Sequence, residues 1–308
     1  MIDFSIKPLV LAPLAGYSDL PLRGVVKRFG CDLTISEMIS SNALAYSDKK
    51  TLKMLEKNEL ETPFIVQISG NKPDIVKKAV EVLNRYDHID GIDLNCGCPA
   101  KKVVAHGSGS TLLTNLELLK EILDTIKQTS NKRYLSAKIR LGFDEKNGIN
   151  IARAIESVGV DFISVHGRTK KQGYSGNSDF KAIKEIKQSV KIPIIANGDI
   201  NSKNAKEVLN FTGADGLMIG RASIGNPWVF YEIKSSKSVS KEIKKEIILA
   251  HFDEMMKFYG QKGVALFRKH VHQYAKGYEN ASEFRDIINR IDDTQIARLK
   301  IEEFFSQI

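Results

Sequence analysis

Eight short apolar, β-branched runs, each closed by a turn or a polar cluster, constrain this chain more than any other feature. They are Leu9–Pro13, Leu33–Glu37, Phe64–Ile68, Gly91–Asn95, Leu135–Ile139, Phe162–His166, Pro193–Asn197 and Gly216–Gly220. Most are separated by stretches with apolar residues at helical spacing. Ile75, Val76, Ala79, Val80 and Leu83 precede the fourth run, Leu116, Leu119, Ile122, Leu123 and Ile126 the fifth, and Ile183, Ile186 and Val190 the seventh. Strands this apolar are buried on both faces, which calls for a parallel sheet covered by helices. Eight βα units in succession predict an α/β fold, a closed (β/α)8 TIM barrel. An open doubly wound sheet competes, but the eightfold count and the absence of G-x-G-x-x-G after the first run weigh against it.

The pattern stops after Ile233. A polar stretch from Ser235 ends in a candidate N-cap at Ser240, and helical periodicity then continues to the C-terminus. One stripe holds Ile243, Ile247, Ile248, Phe252, Met255 and Tyr259, and a second holds Phe267, Val271, Tyr274 and Tyr278. Phe284, Ile287, Ile288 and Ile291 form a third, and Ile296, Leu299 and Phe304 a fourth. Residues 1–235 are thus expected to form the barrel, and 240–308 a small helical bundle.

The 308 residues carry 46 Lys and Arg against 37 Asp and Glu, a net charge of +9. That surplus is compatible with an anionic partner without requiring one. Residues 237–308 hold 13 basic and 11 acidic side chains, so most of the surplus belongs to the barrel part. Three cysteines exclude a disulfide framework and suit a reducing compartment. The chain shows no secretory leader and no run long enough to span a bilayer, so a cytoplasmic protein is expected, with no membrane association and no obligate protein partner.

Active sites of such barrels lie at the C-terminal ends of the strands. Polar groups follow nearly every run: Gln67, Asn95, Lys138, His166, Asn197 and Arg221. Gly198 and Gly220 fall after the seventh and eighth strands, where barrels commonly bind phosphate on backbone N–H groups. Arg221 could add charge-assisted bonds there, although both glycines also suit plain turns. Lys138 interrupts an apolar run, which is costly unless it meets an anionic partner or has a chemical task. Gln67 offers a donor and an acceptor to a heterocycle edge. Cys31 opens the second strand and reads as a buried structural thiol. Cys96 and Cys98 lack the spacing and the second ligand pair of a zinc site. Cys98, between Gly97 and Pro99, bends toward the barrel mouth, and a free cysteine is largely a thiol at neutral pH, able to give a proton.

Five segments together resemble the flavin-dependent tRNA-dihydrouridine synthases. They are Ala12-Pro-Leu-Ala-Gly16-Tyr-Ser-Asp-Leu-Pro-Leu-Arg23, Asp93-Leu-Asn-Cys-Gly-Cys-Pro-Ala-Lys-Lys102, Lys138-Ile-Arg-Leu-Gly142, His166-Gly-Arg-Thr169 and Asn197-Gly-Asp-Ile200. They follow the family's order, and Arg268-Lys-His-Val-His-Gln-Tyr274 is similar to its helical-domain signature. The stretch around Cys98 is the most specific. Cys96 and Leu14 stand where the family often has Met; neither change removes a polar function.

The resemblance implies an FMN enzyme that reduces uridine in tRNA to 5,6-dihydrouridine, with NADPH or NADH as the transient reductant. It places FMN against Pro13, Leu14, Ala15, Gln67, Lys138, His166, Asn197, Gly198, Asp199, Gly220 and Arg221, and makes Cys98 the catalytic acid. The C5=C6 bond of uracil is conjugated to the C4 carbonyl, so hydride adds at C6 and an acid must protonate C5. A base on a flavin has left its stack, so RNA needs a grip elsewhere. Asn95, Lys101, Lys102 and Arg168 at the mouth, with Arg268 and Lys269 in the tail, are the candidate RNA contacts. His106, Lys170 and Lys171 flank the same loops. A solvated charged face accounts for such residues equally well, as core packing does for Tyr274. Two other readings share parts of this set. An FMN barrel reducing a free small molecule also uses the phosphate loops and Lys138; an RNA-binding barrel without chemistry leaves Lys138 and Cys98 unexplained.

Overall fold

The computed structural model describes residues 1–307 of the chain. Eight parallel strands close into a barrel: β1 (Leu9–Leu11), β2 (Leu33–Ile35), β3 (Phe64–Ser69), β4 (Gly91–Cys96), β5 (Tyr134–Arg140), β6 (Phe162–His166), β7 (Ile194–Asn197) and β8 (Gly216–Ile219). Closure is explicit in the register: β1 pairs with β2 through Val10 and Leu33, and with β8 through Leu9 and Leu217. All eight predicted runs are strands, shorter at some ends. The second breaks at Ser36 and resumes at Ile39–Ser40, which still pairs with the end of β3.

The helices cover the barrel because their apolar stripes match the outward-facing residues of the strands. They include α1 (Leu20–Arg28), α2 (Pro73–Leu83), α3 (Leu116–Thr129), α4 (Gly148–Val158), α5 (Phe180–Ser189) and α6 (Ala205–Thr212). Val76, Ala79, Val80 and Leu83 of α2 are buried, as are Leu119, Ile122, Leu123 and Ile126 of α3, on the predicted stripes. Side-chain oxygens of Asp19, Asn115 and Asp179 accept backbone N–H groups at the starts of α1, α3 and α5. Arg23, within the first motif, is a buried strut paired to Glu61 at 2.6 Å.

Strand alternation sorts the barrel's interior into layers. Val10, Ile65, Phe162, Ile195 and Met218 fill the lower interior as an apolar plug. Two residues further along the same faces come Ala12, Gln67, Ser164, Asn197 and Gly220, joined by Asp93, Ser136 and Lys138 from β4 and β5. The interior therefore turns polar toward the C-terminal ends, where the chemistry of a barrel is placed.

After β8 a short helix α7 (Val229–Ser235) leads to α8 (Lys241–Tyr259), α9 (Lys262–Tyr274), α10 (Ala281–Ile288) and α11 (Thr294–Ser306). These share a core of their own around Phe252, Met255, Phe267, Val271, Phe284 and Ile301, to which Trp228 and Val239 also belong. The last helix departs from expectation: it buries Ala297, Ile301 and Phe305, while Ile296 and Leu299 are about half exposed. Ile243 and Ile287 are likewise exposed. A single helix docks where its neighbours leave room, and with apolar residues on more than one face the stripe alone does not choose the side. Among the described residues no helix is long and apolar enough to cross a membrane.

Candidate active site

A cavity of about 630 Å³ opens at the C-terminal ends of the strands. Pro13, Leu14, Ala15, Gln67, Asn95, Cys98, Lys138, His166, Asn197, Gly198, Asp199, Gly220 and Arg221 all line it. Residues spread over more than 200 positions of sequence thus converge because parallel strands deliver their C-terminal ends to one rim.

One wall is a chain of two amides, one carboxyl and a hydroxyl. Gln67 Nε2 donates to Asp93 at 2.7 Å, Asn95 Nδ2 donates to Gln67 Oε1 at 2.7 Å, and Ser136 Oγ donates to the other Asp93 oxygen at 2.6 Å. Burial pushes the Asp93 carboxyl up to about 6, against the bonds from Ser136 and Gln67. Asn95 Oδ1 accepts the backbone N–H groups of Gly97 and Cys98 and so shapes the turn that presents Cys98. Asn95, expected against RNA, is largely buried, belongs to this wall and lines the cavity.

The two neighbouring cysteines part company at this turn. Cys96 is the last residue of β4, faces the helix layer at 0% exposure, and has its thiol pushed well above the usual range by burial. Cys98, two residues further on and past the strand end, is partly exposed and lines the cavity. Cys31 is buried, as expected, and burial pushes its thiol up to about 12.

Lys138 crosses the floor and donates to Asn197 Oδ1 at 3.0 Å, while Asn197 Nδ2 donates to the Met218 carbonyl at 2.8 Å. Burial, then the Arg140 charge, pull Lys138 down to about 8. It remains largely a cation at neutral pH. His166 is pushed down to about 2, by burial first and then by Lys138, Arg140, Arg168 and Arg221, so its imidazole is neutral. Arg140 closes the polar segment Lys138-Ile-Arg140 at the end of β5 and lines the cavity, a position to which the sequence attaches no role. It lies two positions beyond Lys138 on the same inward face, which is the signal the sequence offers. It is 2% exposed and donates to the carbonyls of Gly97, Thr169 and Gly173. Tyr17, Met38 and Tyr174 also line the cavity, with no periodicity to announce them.

The far end carries the two glycine loops. Gly198 has φ +115°, and a Cβ there would collide with Ser178 Oγ and the His166 ring. Gly220 is different: a Cβ would meet Ala12 at 3.7 Å and nothing nearer, so its backbone faces open cavity. Arg221 is half exposed, pairs with Asp199 at 2.8 Å and lies over the Tyr174 ring at 4.6 Å. Burial works against the Asp199 charge, yet Arg168, the Ser178 amide and Arg221 outweigh it and hold its carboxyl below the usual range.

Arg168 corrects the reading of the mouth. Expected to meet RNA, it is 2% exposed, pairs with Asp199 at 2.5 Å and donates to Ser178 Oγ at 3.0 Å. The chain folds back over it at Ser175 and Gly176, whose carbonyls accept from the guanidinium. Arg268 is likewise committed, to Asp292 at 2.6 Å and the Ile291 carbonyl at 3.0 Å. Its neighbour Lys269 turns toward the barrel and stands 5.6 Å from the Tyr17 ring. Lys101 and Lys102 are exposed on a one-turn helix just beyond Cys98, beside exposed His106.

The family model for dihydrouridine synthase (Dus) matches residues 10–308. A "probable tRNA-dihydrouridine synthase" of Helicobacter pylori strain J99 is 51% identical over 310 residues, 99% of this chain and 94% of that protein. The tRNA-dihydrouridine synthase B of Pseudomonas syringae pv. tomato strain DC3000 is 38% identical, over 97% of this chain and 91% of that one. Among solved structures, the old yellow enzyme from Trypanosoma cruzi superposes with a TM-score of 0.55 at 10% identity, covering 75% of this chain and 89% of that one. Morphinone reductase gives 0.55 at 11% identity, with 76% and 87% covered. Identities that low speak for the barrel fold alone, whereas the sequence relatives span both the barrel and the helical tail. The chain belongs to the dihydrouridine synthase family.

Proposed function

We propose that this chain is an FMN-dependent tRNA-dihydrouridine synthase. It reduces the C5=C6 bond of uridine in tRNA with electrons from NADPH or NADH, and Cys98 is the proton donor. The observation that carries this reading is the convergence of the Cys98 thiol and the Lys138 ammonium on one cavity, opposite two glycine loops and Arg221.

The residues present fit the flavin. The cavity volume is within the range of small-molecule sites. Gly220 leaves its backbone open to the cavity, and Arg221, oriented by Asp199, supplies a cation at that end, which suits a phosphate. Gln67, fixed by Asp93 and Asn95, keeps one N–H and one lone pair for a heterocycle edge. Lys138, held by Asn197, offers positive charge to the electron-rich edge of a reduced ring. When bound, reduced FMN supplies the hydride that adds at C6 of uracil.

The remaining work is done by the chain. As hydride arrives at C6, negative charge spreads to C5 and O4, and the Cys98 thiol gives its proton to C5. Asn95 holds the turn that aims that thiol. Among the described residues Lys101, Lys102, Lys171 and Lys269 carry no ion pair and are placed to meet tRNA phosphates around the mouth, with Lys269 contributed by the helical unit. A tRNA substrate puts this work in the cytoplasm.

The test is direct. Purified protein should be yellow and release FMN on denaturation, and with NADPH it should form dihydrouridine in tRNA. Flavin without dihydrouridine would favour a small-molecule reductase; absence of flavin would remove the enzymatic reading.

A further inference from the structure

Behind Tyr17 of the cavity wall, a second set of ionisable side chains meets where α1 abuts the helical unit. One carboxylate oxygen of Asp19 and one ring nitrogen each of His251 and His270 lie within 4.8 Å of one another. Asp19 is 4% exposed, His251 0% and His270 1%. Each histidine leaves its Nε2 buried with no hydrogen-bond partner. Two histidines that each keep an unpartnered ring nitrogen, clustered with one buried carboxylate, call for a shared partner, because a buried polar atom left alone loses its hydration without return.

The other valences of the group are already oriented. His251 Nδ1 lies 2.9 Å from the Tyr274 hydroxyl, so with Nδ1–H donating to that oxygen the lone pair sits on Nε2. Asp19 accepts the Leu22 N–H at 3.2 Å on one oxygen and the Tyr259 hydroxyl at 3.2 Å on the other. Outer hydrogen bonds of this kind orient the ligands of metal sites. Glu37, Lys269 and Arg23 are the charges acting on Asp19. Glu37 offsets one of the two cations.

We propose that Asp19, His251 and His270 bind one divalent transition-metal ion, Zn²⁺ by donor type, as a buried staple between the barrel and the helical unit. Two imidazoles and a carboxylate suit Zn²⁺ better than the hard cations, and three protein ligands leave the fourth tetrahedral position to a water. The staple bears on the cavity through Tyr17, which lines it and packs edge-on against His270 at 5.4 Å between ring centres.

The experiment uses the full chain, dialysed against Zn²⁺ and then against metal-free buffer. Metal content and melting temperature are measured for wild type, His270→Gln and Asp19→Asn. The asparagine keeps an acceptor for the start of α1, so that variant retains its helix cap. Wild type should hold about one Zn²⁺ per chain and both variants about tenfold less. A chelator should lower the melting temperature of wild type and leave that of the variants unchanged. Equal retention in all three proteins would overturn the assignment. So would a wild type that keeps less than about a tenth of an equivalent and melts identically with and without Zn²⁺, the result expected if a water alone bridges the group. That measurement on wild type decides the matter even if a variant fails to fold.

Discussion

Cys96 and Cys98 illustrate how two residues of sequence separate a packed thiol from one that lines the cavity. Cys98→Ala should leave cofactor content and flavin reduction by NADPH intact, because its side chain belongs to the turn beyond β4 and not to the glycine loops. Its turnover with tRNA should fall by about 10² or more, the usual size of a lost general acid. Cys96→Ala should cost stability through a small buried cavity and leave the chemistry in place. If single-turnover rates show the opposite ranking, the wrong sulfur has been assigned. His166 carries a second prediction at this scale. Its imidazole is held neutral in the fold down to about pH 2, while in the unfolded chain it protonates below about 6.5. The unfolded state therefore takes up the extra proton, and stability falls as pH drops below about 6.5. Between pH 7 and 5 wild type should lose about 1–2 kcal/mol more than His166→Gln, at 1.36 kcal/mol per pH unit once titration is under way. Urea midpoints measured across that range check it, and parallel curves would show that His166 is not the group responsible.

The loops after β7 and β8 each bring a glycine to the cavity, but for different physical reasons. Gly198 combines a left-handed φ of +115° with a position where a Cβ has no room, so Gly198→Ala should destabilise the fold by about 1–3 kcal/mol in chemical denaturation. Gly220 has open space around a Cβ, so the methyl of Gly220→Ala meets no neighbour closer than 3.7 Å and should lower FMN retention, since it faces the cavity. Arg221→Ala should also lower FMN retention on dilution, because in the proposed site it removes a charge-assisted hydrogen bond to phosphate. Full flavin content in both variants would move the phosphate to another part of the rim. Element positions are legible because each strand is a short apolar run and each covering helix has a single stripe. The last helix is not, since Ile296 and Leu299 are as apolar as the buried Ala297 and Ile301, and only the neighbouring helices decide which side is covered.

At the scale of the whole molecule, the helical unit is fastened to the barrel by specific bonds. Tyr259 donates to Asp19, Lys53 donates to the Phe258 carbonyl at 2.7 Å, and Arg28 pairs with Glu254 at 3.7 Å. Its core also takes in Phe29 and Trp228 from the barrel side. A chain cut near Ser235 would expose that apolar surface, so RNA binding is better dissected by charge removal in the intact protein. Lys101→Ala with Lys102→Ala, and separately Lys269→Ala, should each weaken tRNA binding roughly uniformly with respect to sequence. The slope of log K against log salt should shrink by about 0.7–0.9 for each phosphate that the variant no longer neutralises. Arg268→Ala should leave that slope unchanged, because its guanidinium is held by Asp292 and Ile291. Affinities at several salt concentrations separate these outcomes; a reduced slope for Arg268→Ala alone would reverse the assignment.

Periodicity and residue type are enough for the barrel, the helical tail and the choice of rim residues, because parallel strands carry whatever follows them to one end. Gln67, Lys138, His166 and Asn197 stand out for that reason, as polar residues at the ends of apolar runs. Charge alone misleads at Arg168, where folding back of the chain buries the guanidinium against Asp199, a partner that no local pattern announces. Arg140 shares the inward face of Lys138 and is within reach of the same alternation. The meeting of Asp19 with His251 and His270 lies beyond it: it joins a helix start in the barrel to two helices more than 200 residues away, and only their packing brings the three together.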